Sequence, residues 1–134
     1  ASIVRSLVDK GADVAVNYRE DAETAIELCD ELKEMGVRIE AIQADVTDQD
    51  AIARLVSGVQ AAFGKIDILI NNVGPYADIP FLDLSYKDFD HVMSANVRAT
   101  YLSMKVAGSH MKEQGAGHII NVSATDAFHR SSSV

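Results

Sequence analysis

Residues 67–74 join a short apolar run to two side-chain amides and a glycine. The run reads Asp-Ile-Leu-Ile, and Asn-Asn-Val-Gly follows it directly. Continuous Ile and Leu are typical of a strand buried on both faces of a parallel sheet, and ligands bind beyond the carboxyl ends of such strands. Asn71 and Asn72 can hold neighbouring backbone groups and face a ligand, while Gly74 lets the chain turn and lets a flat ligand approach. A simple Asn-Asn-x-Gly turn is the alternative.

Three other segments place polar residues beside apolar runs. Residues 44–47 read Ala-Asp-Val-Thr, Asn96 precedes Val97, and residues 117–123 read Gly-His-Ile-Ile-Asn-Val-Ser. In this order and at these intervals, the four segments together resemble the motifs of the short-chain dehydrogenase/reductase family. Val73 stands where the family's Asn-Asn-Ala-Gly motif has Ala.

The resemblance implies a Rossmann-type fold and hydride transfer between a nicotinamide cofactor and a small ketone or secondary alcohol, as in the 3-oxoacyl reductases. It implies catalytic roles for Asn96, which would hold a proton-relay water, and for Ser123, which would hold the substrate oxygen. The family's proton donor is a tyrosine with a depressed pKa beside a lysine. The residues implied to bind the cofactor are Tyr18, Arg19, Asp45, Val46, Asn72, Val73 and Gly74.

The residue types at the end of the second family strand favour NADP over NAD. Tyr18 and Arg19 stand where NAD-dependent relatives carry an acid for the adenosine ribose, and an arginine can hold the 2'-phosphate of NADP bidentately. NAD remains possible, and Arg19 could instead be an exposed cation paired with Glu20 or Glu23. Asp45 resembles the residue that accepts from the adenine amino group, with a helix-start carboxylate as the alternative.

Two of the catalytic assignments have alternatives of their own. A plain exposed amide is the alternative for Asn96. In most relatives the catalytic hydroxyl is the second residue of a Ser-Ser pair, and here that position is Ala124. Either Ser123 or Thr125 supplies the hydroxyl, or the oxyanion donor is lost.

Both ends of the family pattern are missing from the sequence. No Gly-x-Gly-x-x-Gly between a strand and a helix occurs among the eight glycines. The Tyr-x-x-x-Lys formed by Tyr101 and Lys105 lies on the same helix as Asn96, about 140° and 180° around from it, so we expect this pair to face away from the site. The sequence therefore predicts the interior of a reductase that is inactive by itself.

Alternating helix and strand patterns predict an α/β fold with an incomplete doubly wound parallel sheet, as one partial dinucleotide-binding domain over residues 1–134. Apolar spacing predicts helices over 2–9, 21–35, from Thr47 to Gly64, and from Ser85 to about Met111. Strands are predicted over 14–16, 37–44, 67–70 and 117–123.

Composition limits the classes of partner. The net charge of −8 argues against nucleic acid and anionic membrane surfaces, and no apolar run could cross a membrane. The four histidines have no metal-site spacing. Cys29, the single cysteine, shares a helical face with Ile26 and Leu32 and is interpreted as a buried core thiol, which favours the cytoplasm. The helix beginning at Ser85 resembles one half of the family's oligomer interface, so a dimer or tetramer is expected.

Two other function classes stay open at this stage. An acidic doubly wound domain of 134 residues has the size of a receiver-like signalling domain, but the clustered acids and strand-terminal lysine of such a domain are not visible. A non-catalytic nucleotide-binding or scaffold protein of the same fold is the second alternative, because Ala124 replaces the usual hydroxyl.

Overall fold

The computed structural model describes residues 1–72, 74, 75 and 79–123. Helices and strands alternate along the chain, and every strand pair is parallel. The α-helices are α1 (Ser2–Val8), α2 (Ala22–Lys33), α3 (Gln49–Phe63), α4 (Tyr86–Met93) and α5 (Ala99–Gln114). The strands are β1 (Val14–Tyr18), β2 (Ile39–Gln43), β3 (Ile68–Asn71) and β4 (His118–Asn121). A 3₁₀-helix spans Phe81–Asp83, and a π-helical segment, Ser94–Arg98, joins α4 to α5.

The chain divides into two compact units, the first comprising residues 1–45 and 50–65. In this first unit β1 pairs with β2 in a register that runs from Val14 opposite Ile39 to Tyr18 opposite Gln43. Helices α1 and α2 pack against the strand pair. Apolar side chains from all four elements form its core, namely Val8, Val14, Cys29, Leu32 and Ile39.

Helix α2 shows how the sequence positions this core. The Asp21 carboxylate accepts from the Thr24 backbone N–H at 3.1 Å and so satisfies a free donor of the first turn. Cys29 is a buried thiol, as predicted, and burial raises its pKa. The predicted position of Ile26 on the same face is wrong, because its side chain is 47% exposed. Ala25 lies one turn before Cys29 and occupies the buried face instead.

The second unit comprises residues 46–49 and 66 onward. Strands β3 and β4 pair from Ile68 opposite His118 to Asn71 opposite Asn121, and α5 packs against both. At the predicted start of α4, the Ser85 hydroxyl caps the helix by accepting from the Asp88 N–H at 3.2 Å. The helix that follows extends to Gln114, beyond the predicted end near Met111, and contains the π-helical turn, which periodicity alone did not indicate.

The expectation that residues 67–70 form a strand buried on both faces is wrong. Ile68 is 47% exposed, and Ile120 on the neighbouring strand is exposed to the same extent. Among the described residues, the strands form two sheets of two strands each, and α5 is the helix that packs against β3 and β4. A parallel strand is buried on both faces only where helices cover both faces. No helix in the described ranges is long and apolar enough to cross a membrane.

Candidate functional site

In the first unit, side-chain amides fix the carboxyl ends of the two strands. The Asn17 Nδ2 group donates to the carbonyl oxygens of Ile42 at 3.2 Å and Ala44 at 3.0 Å. The Ala44 N–H in turn donates to the Tyr18 carbonyl at 2.9 Å. These bonds hold the part-buried Tyr18 and Asp45 at one edge of the strand pair. Sequence reasoning missed Asn17, although an amide inside an apolar strand was a signal that it pairs with backbone.

Arg19 follows β1 at this same edge. Gln43, at the end of β2, donates from Nε2 to the Arg19 carbonyl oxygen at 2.9 Å, so the backbone at Arg19 is fixed. The Arg19 guanidinium lies 2.9 Å from the Glu20 carboxylate, and the two side chains are 51% and 79% exposed. Arg19 therefore forms the ion pair with Glu20 that was the alternative to a role in cofactor binding. An ion pair this exposed contributes at most about 1 kcal/mol, so the guanidinium remains available to an anion.

In the second unit, an amide pair joins the ends of β3 and β4. Asn71 donates from Nδ2 to the Asn121 Oδ1 at 2.8 Å, and the Val122 N–H donates to the Asn71 carbonyl at 2.9 Å. Asn71 therefore pairs with a side chain of the neighbouring strand, which the sequence did not predict. Asn72 and Ser123 are exposed and follow the two strand ends. Parallel strands present such residues along one edge, where ligands of open α/β sheets bind.

Asn96 lies in the π-helical segment and is held from both sides. Its Nδ2 group donates to the Val92 carbonyl at 2.9 Å and to the Pro75 carbonyl at 3.1 Å. Its own carbonyl accepts from the Thr100 hydroxyl at 2.7 Å. The side chain is part-buried and paired, so the interpretation as a plain exposed amide is wrong. A single π-helical turn inside an α-helix is frequent at functional sites.

Gly74 has a different reason to be glycine from the one predicted. The turn at this point does not use the left-handed region, which among the described glycines is confined to Gly11, Gly36, Gly64 and Gly115. A Cβ added to Gly74 would lie 2.5 Å from the Asn96 Oδ1. The missing side chain therefore makes room for the asparagine amide, and the approach of a flat ligand at Gly74 stays a prediction.

The Tyr101 and Lys105 pair lies on the exposed surface of α5. Tyr101 is 54% exposed, and the Lys105 Nζ lies 5.9 Å from the centre of its ring. This cation–π contact explains the pair without a catalytic role.

Some of the predicted positions lie outside the described residues, namely Val73 in the loop after β3, and Ala124 and Thr125 after Ser123. Within the described part of the chain, no group of three His, Cys, Asp or Glu side chains could hold a metal ion. Val46 is part-buried at the start of the second unit.

Comparison with known proteins gives a consistent result. The family model for short chain dehydrogenase matches residues 1–134. The chain is 34% identical to the 3-oxoacyl-[acyl-carrier-protein] reductase FabG of Staphylococcus aureus over 92% of its own length and 50% of that protein. It is 35% identical to the NADP-dependent mannitol dehydrogenase of Hypocrea jecorina, over 87% of this chain and 44% of that protein.

Solved structures agree with the sequence relatives. A short chain dehydrogenase from Burkholderia cenocepacia, solved in complex with NADP, superposes with a TM-score of 0.89 at 32% identity, covering 98% of this chain and 53% of that one. The chain thus spans about half the length of the curated relatives it matches. The predicted Rossmann-type fold is confirmed by these neighbours, and the chain belongs to the short chain dehydrogenase family.

Proposed function

We propose that this chain is the central part of an NADP-preferring oxidoreductase that transfers hydride between the nicotinamide and a ketone or secondary alcohol. The observation that carries the proposal is Arg19, whose half-exposed guanidinium follows the carboxyl end of β1 on a fixed backbone. The family supplies the class of reaction, and relatives described as NADP-dependent or solved with NADP support the choice of cofactor.

Arg19 suits a phosphate for physical reasons. A guanidinium offers two parallel N–H donors to phosphate oxygens, and the Gln43 bond to the Arg19 carbonyl limits how far the backbone can move. The 2'-phosphate of NADP would replace the exposed Glu20 carboxylate as the anion beside Arg19. NAD lacks this phosphate and would gain nothing from the arginine.

The remaining residues fit the two ends of such a cofactor. Asp45 would accept from the adenine amino group. Val46 follows it in the chain, and Tyr18 lies nearby because its carbonyl accepts from the Ala44 N–H. Asn72, Val73 and Gly74 would line the path toward the nicotinamide. The cofactor, when bound, supplies or receives the hydride. Ser123, exposed beyond β4, would hold the substrate oxygen by donating a hydrogen bond from its hydroxyl, with Thr125 as the alternative donor.

The proposed substrate class is a small carbonyl compound or the corresponding alcohol. The relatives at 34–35% identity are named as a 3-oxoacyl reductase, a mannitol dehydrogenase and a gluconate 5-dehydrogenase. All three names imply oxidation or reduction at a carbon that bears oxygen. A 3-oxoacyl reductase activity is the specific form that we favour.

A homo-oligomer is proposed from the exposed side of the long helix. Large apolar or aromatic side chains on this helix are 40–82% exposed and spaced three or four residues apart, namely Tyr86, Phe89, Met93, Val97 and Tyr101. Such a stripe is typical of a helix that packs against a second helix. A second copy of the chain is the proposed partner, and the cytoplasm is the proposed location, because the buried Cys29 suits a reducing compartment.

A non-catalytic nucleotide-binding member of the family is the second candidate, favoured by Ala124 at the usual hydroxyl position. The two candidates differ in one measurement. Both would bind NADP, but only the enzyme would oxidise NADPH in the presence of a 3-oxoacyl thioester. Family membership removes the support for a receiver-like domain.

Arg19→Ala tests the cofactor preference in the product of the whole reading frame. We expect the Kd for NADP to rise by an amount equivalent to about 1.5 to 3 kcal/mol, the range of a charge-assisted hydrogen bond, and the Kd for NAD to change little. Arg54→Ala, at an exposed position on α3, is the matched control and should leave both constants unchanged. Equal losses for NADP and NAD would show that Arg19 is only structural.

A further inference from the structure

A close steric fit joins the glycine after β3 to an asparagine amide. At Gly74 an ideal Cβ would lie 2.5 Å from the Asn96 Oδ1 and 3.6 Å from its Cγ. Real Cβ atoms essentially never approach another heavy atom closer than about 3 Å, because repulsion rises steeply at that distance. Gly74 does not have the positive φ that would by itself require glycine. The space taken by the Asn96 amide is therefore the observed reason for glycine here.

The Asn96 amide cannot simply swing away from such a Cβ. Its Nδ2 group is committed to two carbonyl oxygens, one a turn earlier in its own helix and one in the loop, at Val92 and Pro75. Rotation that moves Oδ1 also moves Nδ2 and breaks these bonds, because the carboxamide is planar. The side chain is part-buried, so water replaces the lost partners incompletely.

Pro75 is held to the π-helical segment through its carbonyl oxygen. A proline has no backbone N–H, so its carbonyl is the only backbone group through which the Asn96 amide can hold it. The loop that follows Asn72 is thus tied to the π-helical segment by the bond from Asn96 to the Pro75 carbonyl and by the close fit at Gly74.

We propose that Gly74 is a positioning residue, whose missing side chain lets the Asn96 amide hold Gly74 and Pro75 in one place after β3. This deepens the proposed function, on which it rests, since Asn72 and Gly74 would line the nicotinamide path. A side chain at Gly74 would act through Asn96. It would displace the amide and release the Pro75 carbonyl without removing any group that touches the substrate.

A double-mutant cycle in the product of the whole reading frame tests whether the effect of a side chain at Gly74 acts through Asn96 or is independent of it. The variants are Gly74→Ala, Asn96→Ala and the two together. Gly74→Ala should lower the midpoint of thermal unfolding clearly in wild type and little in the Asn96→Ala background, because the overlapping amide is then gone. Gly108→Ala is the matched control, since among the described residues the nearest atom to its Cβ would be the Ile119 Cδ1, at an ordinary 3.9 Å. If Gly74→Ala alone does not fold, recovery of folding in the double variant is the expected result.

Kinetics then distinguish positioning from packing alone. At a temperature well below unfolding, Gly74→Ala should lower kcat about tenfold or more, as expected for a small misplacement, while the KM for the carbonyl substrate changes less. Asn96→Ala should lower kcat by about 10- to 1000-fold, and the double variant should match it within about threefold.

Additive losses in the cycle, or a Gly74→Ala enzyme with unchanged kcat, would overturn the proposal. The unfolding measurements need no activity, so a protein that binds no NADP would refute the proposed function and leave the steric coupling to be decided by the cycle.

Discussion

Ile26 and Ile120 are the same residue type at the same exposure, 47%, yet they lie in surroundings that differ physically. Ile26 lies on α2 of the first unit, where the backbone N–H and carbonyl groups bond to each other within the helix. Ile120 lies on β4 of the second unit, where every strand residue is exposed. The first unit has a core of buried side chains from four elements, whereas the second has apolar strands that its own described residues leave uncovered.

The difference separates the roles of the two units. The first has its own buried core and carries, at the carboxyl ends of its strands, the residues proposed to select the cofactor. The second carries the residues proposed for the chemistry, and their supports are an amide pair, a π-helical turn and a close glycine contact. Changes in the first unit should therefore alter binding preference or acid stability, and changes in the second should alter turnover, association and packing.

The largest effect is expected at Ser123 in the second unit. Ser123→Ala in the full gene product should lower kcat by about 10²- to 10³-fold, the usual cost of losing a hydrogen-bond donor to a developing oxyanion. Thr125→Val is the paired variant, because Thr125 is the other candidate for the hydroxyl missing at Ala124. A large loss in Thr125→Val with none in Ser123→Ala would move the role to Thr125, and no loss in either would show that neither hydroxyl holds the substrate oxygen.

The second prediction uses the two isoleucines directly. We expect the 134-residue chain by itself to associate through unpaired strand edges, since β1 pairs only with β2 and β3 only with β4 among the described residues. Ile120→Lys should slow aggregation, followed by light scattering, by about tenfold, because a charge blocks strand pairing. Ile26→Lys, at equal exposure on a helix, should have little effect. Equal slowing, or a monomeric cooperative unfolding transition for the wild-type chain, would contradict this.

Gly117→Ala tests packing where the chain enters β4. An added Cβ would lie 2.6 Å from the Cβ of the buried Met111, an atom that cannot move without the backbone of α5. We expect a loss of about 1–3 kcal/mol in the free energy of unfolding, typical of overpacking. Gly108→Ala, inside α5, should be neutral or slightly stabilising, because alanine favours helix. Equal stability of the two variants would mean that Met111 moves without cost.

Periodicity and capping predicted the elements because those signals are local. The start of α4 at Ser85 and the end of α3 before Gly64 depend on residues a few positions apart, and the alternation of helix and strand patterns predicts parallel pairing. The π-helical turn, the 3₁₀-helix at Phe81–Asp83 and the exposure of Ile26 did not follow, because each depends on neighbours distant in sequence.

Contacts within the candidate site also could not be predicted from the sequence. Motif resemblance identified Asn96 and Gly74 separately, but nothing in their spacing of 22 positions indicated that one fills the space left by the other. Gln43 lies within a predicted strand, and nothing in the sequence indicated that it contacts Arg19. Its bond to the Arg19 carbonyl forms because β1 and β2 pair in register. Contacts between elements therefore required the three-dimensional structure.

The smallest predicted effect concerns acid stability in the first unit. The Arg38 backbone N–H donates to the Asp13 carboxylate at 2.7 Å, which holds the pKa of Asp13 below its ordinary value of 3.8. A carboxyl with a lowered pKa in the folded state contributes stability above its unfolded pKa and loses it as the pH falls through the folded value. The midpoint temperature of thermal unfolding should therefore decrease as the pH is lowered from about 6 to about 3. The decrease should be slightly smaller in Asp13→Asn, whose amide oxygen still accepts from Arg38 but does not titrate.

Asp83→Asn, also at an exposed aspartate, is the control and should follow wild type. Because Asp13 is exposed and water screens its charge, the difference should be small. Identical curves for wild type and Asp13→Asn would show that the bond from the Arg38 N–H contributes nothing to the acid sensitivity of this unit.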